Sequence, residues 1–124
     1  MNEAAYHADR SLKAKLRRRL VRLVARKPAA APAGPMVTFA FDDVPASAAE
    51  TGARVLERLG VRGTFFVAGA LAGKHDAAGL MADAEALRRL SQAGHEIGCH
   101  THGHLDLGQS SAAEALADIE ANAA

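Results

Sequence analysis

The sequence predicts an α/β chain in which parallel strands alternate with helices. Two observations carry that reading. Between residues 36 and 120, short β-rich runs alternate with segments whose apolar residues recur at helical spacing, the pattern of βα units. The two polar clusters, Asp42-Asp43 and His100-Thr101-His102-Gly103-His104, each stand directly behind such a run. Parallel folds gather their active groups there, where strands feed the following loops. At 124 residues, 49% hydrophobic and 23% charged, the chain suits one soluble domain rather than a disordered segment. Much of the apolar content is Ala, and such a core buries less area per residue than one of Leu and Phe, so modest stability is expected.

Taken in order, residues 10–27 form a basic arm: Arg10, Lys13, Lys15, Arg17, Arg18, Arg19, Arg22, Arg26 and Lys27, with no acid among them. Leu12, Leu16, Leu20 and Leu23 share one face at 3.6-residue spacing, which predicts a basic amphipathic helix. Residues 28–35, PAAAPAGP, end that helix as a linker, because Pro removes backbone donors and restricts the residue before it. The boundary gives an arm and linker over 1–35 and a body over 36–124. In the body, Met36–Phe41 predicts the first strand. Ser47 and Glu50 have the spacing of a capping box, ahead of an apolar stripe of Ala48, Gly52, Val55, Leu56 and Leu59 that Gly60 stops. Arg62–Val67 predicts the second strand, and residues 69–79 a loop carrying the exposed pair Lys74 and His75. A helix over 82–93 turns Leu87 and Leu90 inward and stops at Gly94; His95–Cys99 is the third strand. A second capping box, Ser111 with Glu114, opens a last helix with Leu116 and Ile119 inward.

Several classes are disfavoured. The single cysteine, Cys99, excludes an internal disulfide framework and a multi-cysteine zinc site. No apolar run approaches the ~18–20 residues that cross a bilayer. Acidic Glu3 and Asp9 followed by the basic arm do not form a signal peptide, so a cytoplasmic location is expected. The net charge of +1 conceals a basic arm on an acidic body, which holds six Lys or Arg against twelve Asp or Glu from Met36 onward. The arm has the composition of a peripheral membrane or nucleic-acid contact; its plain alternative is a solvated helix that docks its leucines on its own domain.

Two adjacent carboxylates point to opposite faces of a regular strand. Asp42 and Asp43 can therefore serve one site only where the strand has ended and the chain turns, which Pro45 favours. Alone, such a pair more often caps a helix. Three histidines in five residues are rarer, and neutral imidazole is the commonest metal ligand. His100 and His104, four apart, reach one side from a helical turn or tight loop, against the alternative of a polar surface loop. Spacing leaves His102 and Cys99 open as competing ligands. One carboxylate with two imidazoles leaves the open position that catalytic zinc uses.

Phe41-Asp42-Asp43, then Gly63-Thr64-Phe65-Phe66-Val67, then Gly94-His95-Glu96-Ile97-Gly98-Cys99-His100-Thr101-His102-Gly103-His104 resemble, in order and spacing, the polysaccharide deacetylase family. This is carbohydrate esterase family 4, with the nodulation-type chitooligosaccharide deacetylases among its members. The resemblance covers about residues 36–120. It implies an irregular (β/α) barrel, with Asp42 as catalytic base and Asp43, His100 and His104 as ligands of a divalent metal, zinc by expectation. His102 falls at a variable position of the motif. The implied reaction is metal-assisted hydrolysis of a carbon–nitrogen (non-peptide) bond, removing acetyl groups from N-acetylglucosamine-type poly- or oligosaccharides. One departure is local: the family usually has Gly after the two Asp, where Val44 stands here. The other is that the family's later Arg-x-Pro-Tyr, Asp/Trp and Leu-x-His segments are not in this sequence.

The expectation is thus about three βα units, an incomplete barrel preceded by the basic helix, with impaired activity. Such a half barrel is expected to leave Phe39, Phe41, Phe65 and Val67 without an opposite wall, and so to self-associate. The expected partner is an acetylated carbohydrate, with no nucleic acid and with peripheral membrane contact through residues 10–27. The competing classes are a non-catalytic metal-binding remnant and a basic-arm protein that binds membrane or nucleic acid.

Overall fold

The computed structural model describes residues 11–25, 32–76 and 78–123. The chain divides into two compact units, Met1–Met36 and Val37–Ala124. In the first, helix α1 spans Leu12–Val24, and Ser11 Oγ caps it by accepting from the Ala14 N–H at 3.1 Å. No residue of α1 is buried. Arg10, Arg26 and Lys27 of the basic arm, and linker residues 28–31, lie outside the described residues.

The second unit is built on a parallel sheet of β1 (Ala40–Asp42), β2 (Thr64–Val67) and β5 (Glu96–Cys99), in the spatial order β1-β2-β5. Phe41 lies opposite Phe65, and Phe65 opposite Ile97. The expected first strand, Met36–Phe41, is corrected: pairing begins only at Ala40, opposite Thr64, and Met36, Val37 and Phe39 are exposed. The Phe39 carbonyl still accepts from Thr64 N at 2.9 Å, but the ladder goes no further toward Met36, so β propensity without a partner strand does not extend β1. Segment 69–79 is more ordered than a loop. It holds a 3₁₀ turn, Gly69–Leu71, and an antiparallel hairpin of β3 (His75–Asp76) and β4 (Gly79–Leu80).

Between β1 and β2 the chain forms a π-wound turn, Ala48–Gly52, that continues as helix α2, Ala53–Arg58. Two expectations fail here for local reasons. Ser47 has helical dihedrals and makes no capping bond, because the helix starts from the Pro45 carbonyl, which accepts from Ala48 N and Ala49 N. The Ala53 N–H then reaches back five residues to the Ala48 carbonyl. One extra residue in that turn rotates the face, so the buried positions step from Ala48 to Ala53 to Leu56, while Val55 and Leu59 point to solvent.

Helix α3 (Ala84–Gln92) is capped by Asp83, whose Oδ1 accepts from Ala86 N at 2.8 Å, and it buries Leu90 as the spacing predicts. Helices α2 and α3 end alike. Gly60 (φ +69°) and Gly94 (φ +86°) take left-handed backbone. The next N–H returns to the carbonyl five residues back, Val61 to Leu56 and His95 to Leu90.

Phe65 is the centre of the core, with no exposed surface. It stacks on Phe41 at 4.8 Å and meets the His95 ring edge-on at 5.1 Å. Val44, Ala48, Ala53, Ala82, Ala86 and Leu90 complete the cluster, with Phe41 and Val67 half-buried against it. The expectation that Phe65 would lack an opposite wall is therefore overturned: helices α2 and α3 supply that wall. Helix α4 (Ala112–Ala123) opens with the expected capping box. Ser111 Oγ accepts from Glu114 N, and Glu114 Oε2 accepts from Ser111 N at 2.8 Å. Its expected inward face is corrected, since Leu116 and Ile119 are exposed and the half-buried line runs through Ala115, Asp118 and Asn122.

Candidate metal centre

Both chemical clusters stand at the carboxyl ends of the sheet. β1 ends at Asp42, and the chain turns sharply: Asp43 (φ +62°) and Val44 (φ +55°) are left-handed, and Val44 N donates back to the Asp42 carbonyl at 2.7 Å. The turn carries Asp43 out of strand alternation, while Asp42, the last strand residue, is exposed. β5 ends at Cys99, where His100 N still bonds the Val67 carbonyl at 2.9 Å, and the chain again turns left-handed at Thr101 (φ +64°) and His104 (φ +55°). Buried Thr101 fixes this second turn, its Oγ1 accepting from Leu105 N at 2.7 Å. Four non-glycine residues in a sparsely allowed region therefore sit in two short turns. Each costs roughly 1–3 kcal/mol, which the surrounding structure must offset.

These turns bring Asp43, His100 and His104 together, with one potential ligand atom from each lying within 4.8 Å of the others. Asp43 Oδ1 is 3.3 Å from His104 Nε2 and 3.6 Å from His100 Nε2. The two imidazole rings are 5.0 Å apart between centroids. Asp43 Oδ1 is buried and accepts no hydrogen bond. A buried acceptor without a donor ordinarily costs about 1–3 kcal/mol. With both imidazoles neutral, three lone-pair atoms converge on one point, an arrangement that a cation relieves. The donor set, one carboxylate oxygen and two imidazole nitrogens, suits zinc and related divalent ions. The residues present thus fit a metal, and the side chains remain between 29% and 53% exposed, open to a further ligand.

Neither other histidine-motif candidate joins this group. Cys99 is exposed, and its Sγ accepts from Thr101 N and from Asn122 Nδ2. His102 lies outside the three-residue cluster. Its Nδ1 is buried without a partner, close enough to Gly69 that a Cβ there would stand 3.0 Å away. Asp42 is likewise outside the cluster. His95 belongs to the core: its Nδ1 accepts from Gly63 N at 3.0 Å, so its Nε2 carries the proton toward Glu57 Oε1 at 3.2 Å.

Two residues of α4 that the sequence reading passed over hold the site's framework. Asp118 Oδ2 accepts from His102 N at 2.6 Å and from Gly103 N at 3.0 Å, inside the loop between the two ligand histidines. Asn122 ties the end of β2 to the end of β5: its Oδ1 accepts from Gly69 N at 2.7 Å, and its Nδ2 donates to the Val67 carbonyl at 2.9 Å and to Cys99 Sγ at 3.2 Å. Their sequence signal was slight: two polar residues four apart on a helix otherwise rich in Ala.

Among the described residues, no helix is long and apolar enough to cross a membrane. A family model described as polysaccharide deacetylase matches residues 29–124. Among solved structures, the chitin deacetylase of the fungal pathogen Colletotrichum lindemuthianum is similar, with a TM-score of 0.55 and 30% identity over 68% of this chain. The chain spans 36% of that enzyme's length. No match was found among curated protein sequences.

Proposed function

Because this chain belongs to the polysaccharide deacetylase family, we propose that residues 36–124 carry the metal-binding and base residues of an amide hydrolase. It acts on the N-acetyl groups of N-acetylglucosamine-type poly- or oligosaccharides, and residues 1–35 form a separate arm. Asp43, His100 and His104 hold a divalent ion, zinc by the chemistry of the donors. The observation that carries this is the buried, donor-free Asp43 Oδ1 facing two imidazole Nε2 atoms.

A bound ion of this kind supplies Lewis acidity, stabilising the negative charge that develops on the acetyl carbonyl oxygen. The protein's own groups do the rest. Asp42, exposed at the end of β1 and adjacent to the ligand Asp43, takes a proton from the attacking water on its carboxylate. Water oxygen adds to the acetyl carbon, the carbon–nitrogen bond breaks, the sugar amine leaves with the proton that Asp42 took up, and acetate is released. Thr101 and Asp118 tie down the loop between the two imidazoles, which limits the reorganisation the ligands would need for an ion.

The test is zinc titration by calorimetry with element analysis, alongside acetate release from N-acetylglucosamine oligomers. Asp43→Ala and His100→Ala are expected to lose zinc, while His102→Ala keeps it. Retention of zinc by the first two variants would overturn the ligand assignment. Zinc binding with no acetate release would instead favour a non-catalytic metal-binding role for these residues.

A further inference from the structure

We propose that α1 is an interfacial helix that binds the surface of an anionic lipid bilayer. Its 13 residues, Leu12–Val24, form a rod about 20 Å long. Leu12, Leu16, Leu20 and Leu23 project from one side and are 84%, 59%, 54% and 76% exposed. At 100° per residue they cover a stripe of about 80°. Lys13 borders that stripe on one side and Arg19 on the other, with Lys15, Arg17, Arg18 and Arg22 behind, and the helix contains no acid.

Charge and apolar surface together select the occupant. Nucleic acid would engage the cations but leave four leucines in water. A groove on a protein would take the leucines but would need matching acids for the surrounding cations. A bilayer surface with anionic headgroups satisfies both at once. The leucines enter the acyl boundary, while the long Lys and Arg stems flanking them reach back to the phosphates. Each cation near such a surface strengthens binding about 5-fold.

The test uses the full 124-residue chain in sedimentation with phosphatidylglycerol–phosphatidylcholine vesicles and with phosphatidylcholine vesicles alone, with duplex DNA as a competitor. Binding is expected to the anionic vesicles only, and to weaken at least 10-fold in high salt. Leu16→Glu with Leu20→Glu should reduce it by about 10-fold or more, and Arg17→Gln with Arg22→Gln by roughly 25-fold. Circular dichroism and thermal unfolding of each variant check that the body, residues 37–124, stays folded. Equal binding by the leucine variant, tighter binding to DNA than to vesicles, or equal binding to uncharged vesicles would each overturn the proposal. Asp43→Ala should bind vesicles as the wild type does, so failure here and failure of the metal assignment are read separately.

Discussion

Val44 has φ +55° with only 1% of its surface exposed, an unusual conformation for a β-branched residue. The strain is tied to the site, because the same turn lifts Asp43 toward His100 and His104. Burial of the Val side chain, worth roughly 1.5–3 kcal/mol, offsets it. This makes an inverted ranking testable. Val44→Ala loses most of the burial and keeps the strain, whereas Val44→Gly loses the burial but relieves about 1–3 kcal/mol of strain. We expect the Gly variant to be at least as stable as the Ala variant in urea unfolding, the reverse of the usual order; a Gly variant clearly less stable than Ala would show that the turn is unstrained. The neighbouring Asp42 separates two roles. Asp42→Asn should bind zinc with wild-type affinity in calorimetry, because Asp42 lies outside the three-ligand cluster. Lost affinity would mean that the two carboxylates share the ion. The family resemblance grouped Asp43, His100 and His104, and the structure places the three side by side, whereas spacing alone left His102 and Cys99 open. It marked Val44 only as a departure; the left-handed backbone there is imposed by the Ala82 N–H to Val44 carbonyl bond and by the core around it, which no local window contains.

The helix α4 shows what a local pattern reveals and what it misses. Its capping box was readable because Ser111 and Glu114 satisfy each other within one turn. Hydrogen bonds from the Ser111 backbone and hydroxyl hold the Glu114 carboxyl below its usual range. A carboxyl whose pKa is lowered by folding adds stability above its unfolded value and loses it as pH falls through the folded value. Wild type should therefore be more helical than Glu114→Gln at neutral pH, and the difference should vanish in acid; a pH-independent difference would remove the cap as its cause. The docking face of α4 was not readable, because Asp118 and Asn122 bond backbone groups 16 and 53 residues away. Apolar spacing favoured Leu116 and Ile119, yet the helix meets the loop N–H groups of Gly69, His102 and Gly103, which a carboxylate and an amide satisfy and leucine does not. Asp118→Ala should leave the fold intact but weaken zinc binding by ~10–100-fold, and Asp118→Asn, which keeps one acceptor, should recover much of it. Unchanged affinity in the Ala variant would make Asp118 a contributor to stability alone.

At the scale of the molecule, the alternation of strand and helix followed from apolar periodicity, and the parallel order β1-β2-β5 is its consequence. The π turn and the two-residue strands of the hairpin escaped, since each is shorter than the window in which periodicity can be judged. Sheet edges are a different matter, set by which strands have neighbours. Among the described residues, β1 and β5 each pair only with β2. β5 is exposed at Glu96, Ile97 and Cys99, and the segment before β1, bonded to β2 through the Phe39 carbonyl, exposes the side chains of Val37 and Phe39. Unpaired backbone beside apolar side chains is a template for another strand. The Phe65 core is closed, so the molecule can fold; its edges are what remain adhesive. We therefore expect the 124-residue chain to self-associate while retaining cooperative unfolding. Light scattering against concentration should show mass rising above the 12.9 kDa monomer. Ile97→Lys and Val37→Lys place a charge at each edge and should shift the distribution toward monomer; the urea midpoint should hold for Val37→Lys, whose side chain is 80% exposed, and fall modestly for Ile97→Lys, which is 39% exposed. The leucines of α1 are a rival source of association, and the Leu16→Glu/Leu20→Glu variant distinguishes them. If that variant alone becomes monomeric while the edge lysines change nothing, the sheet edges are not the adhesive surface.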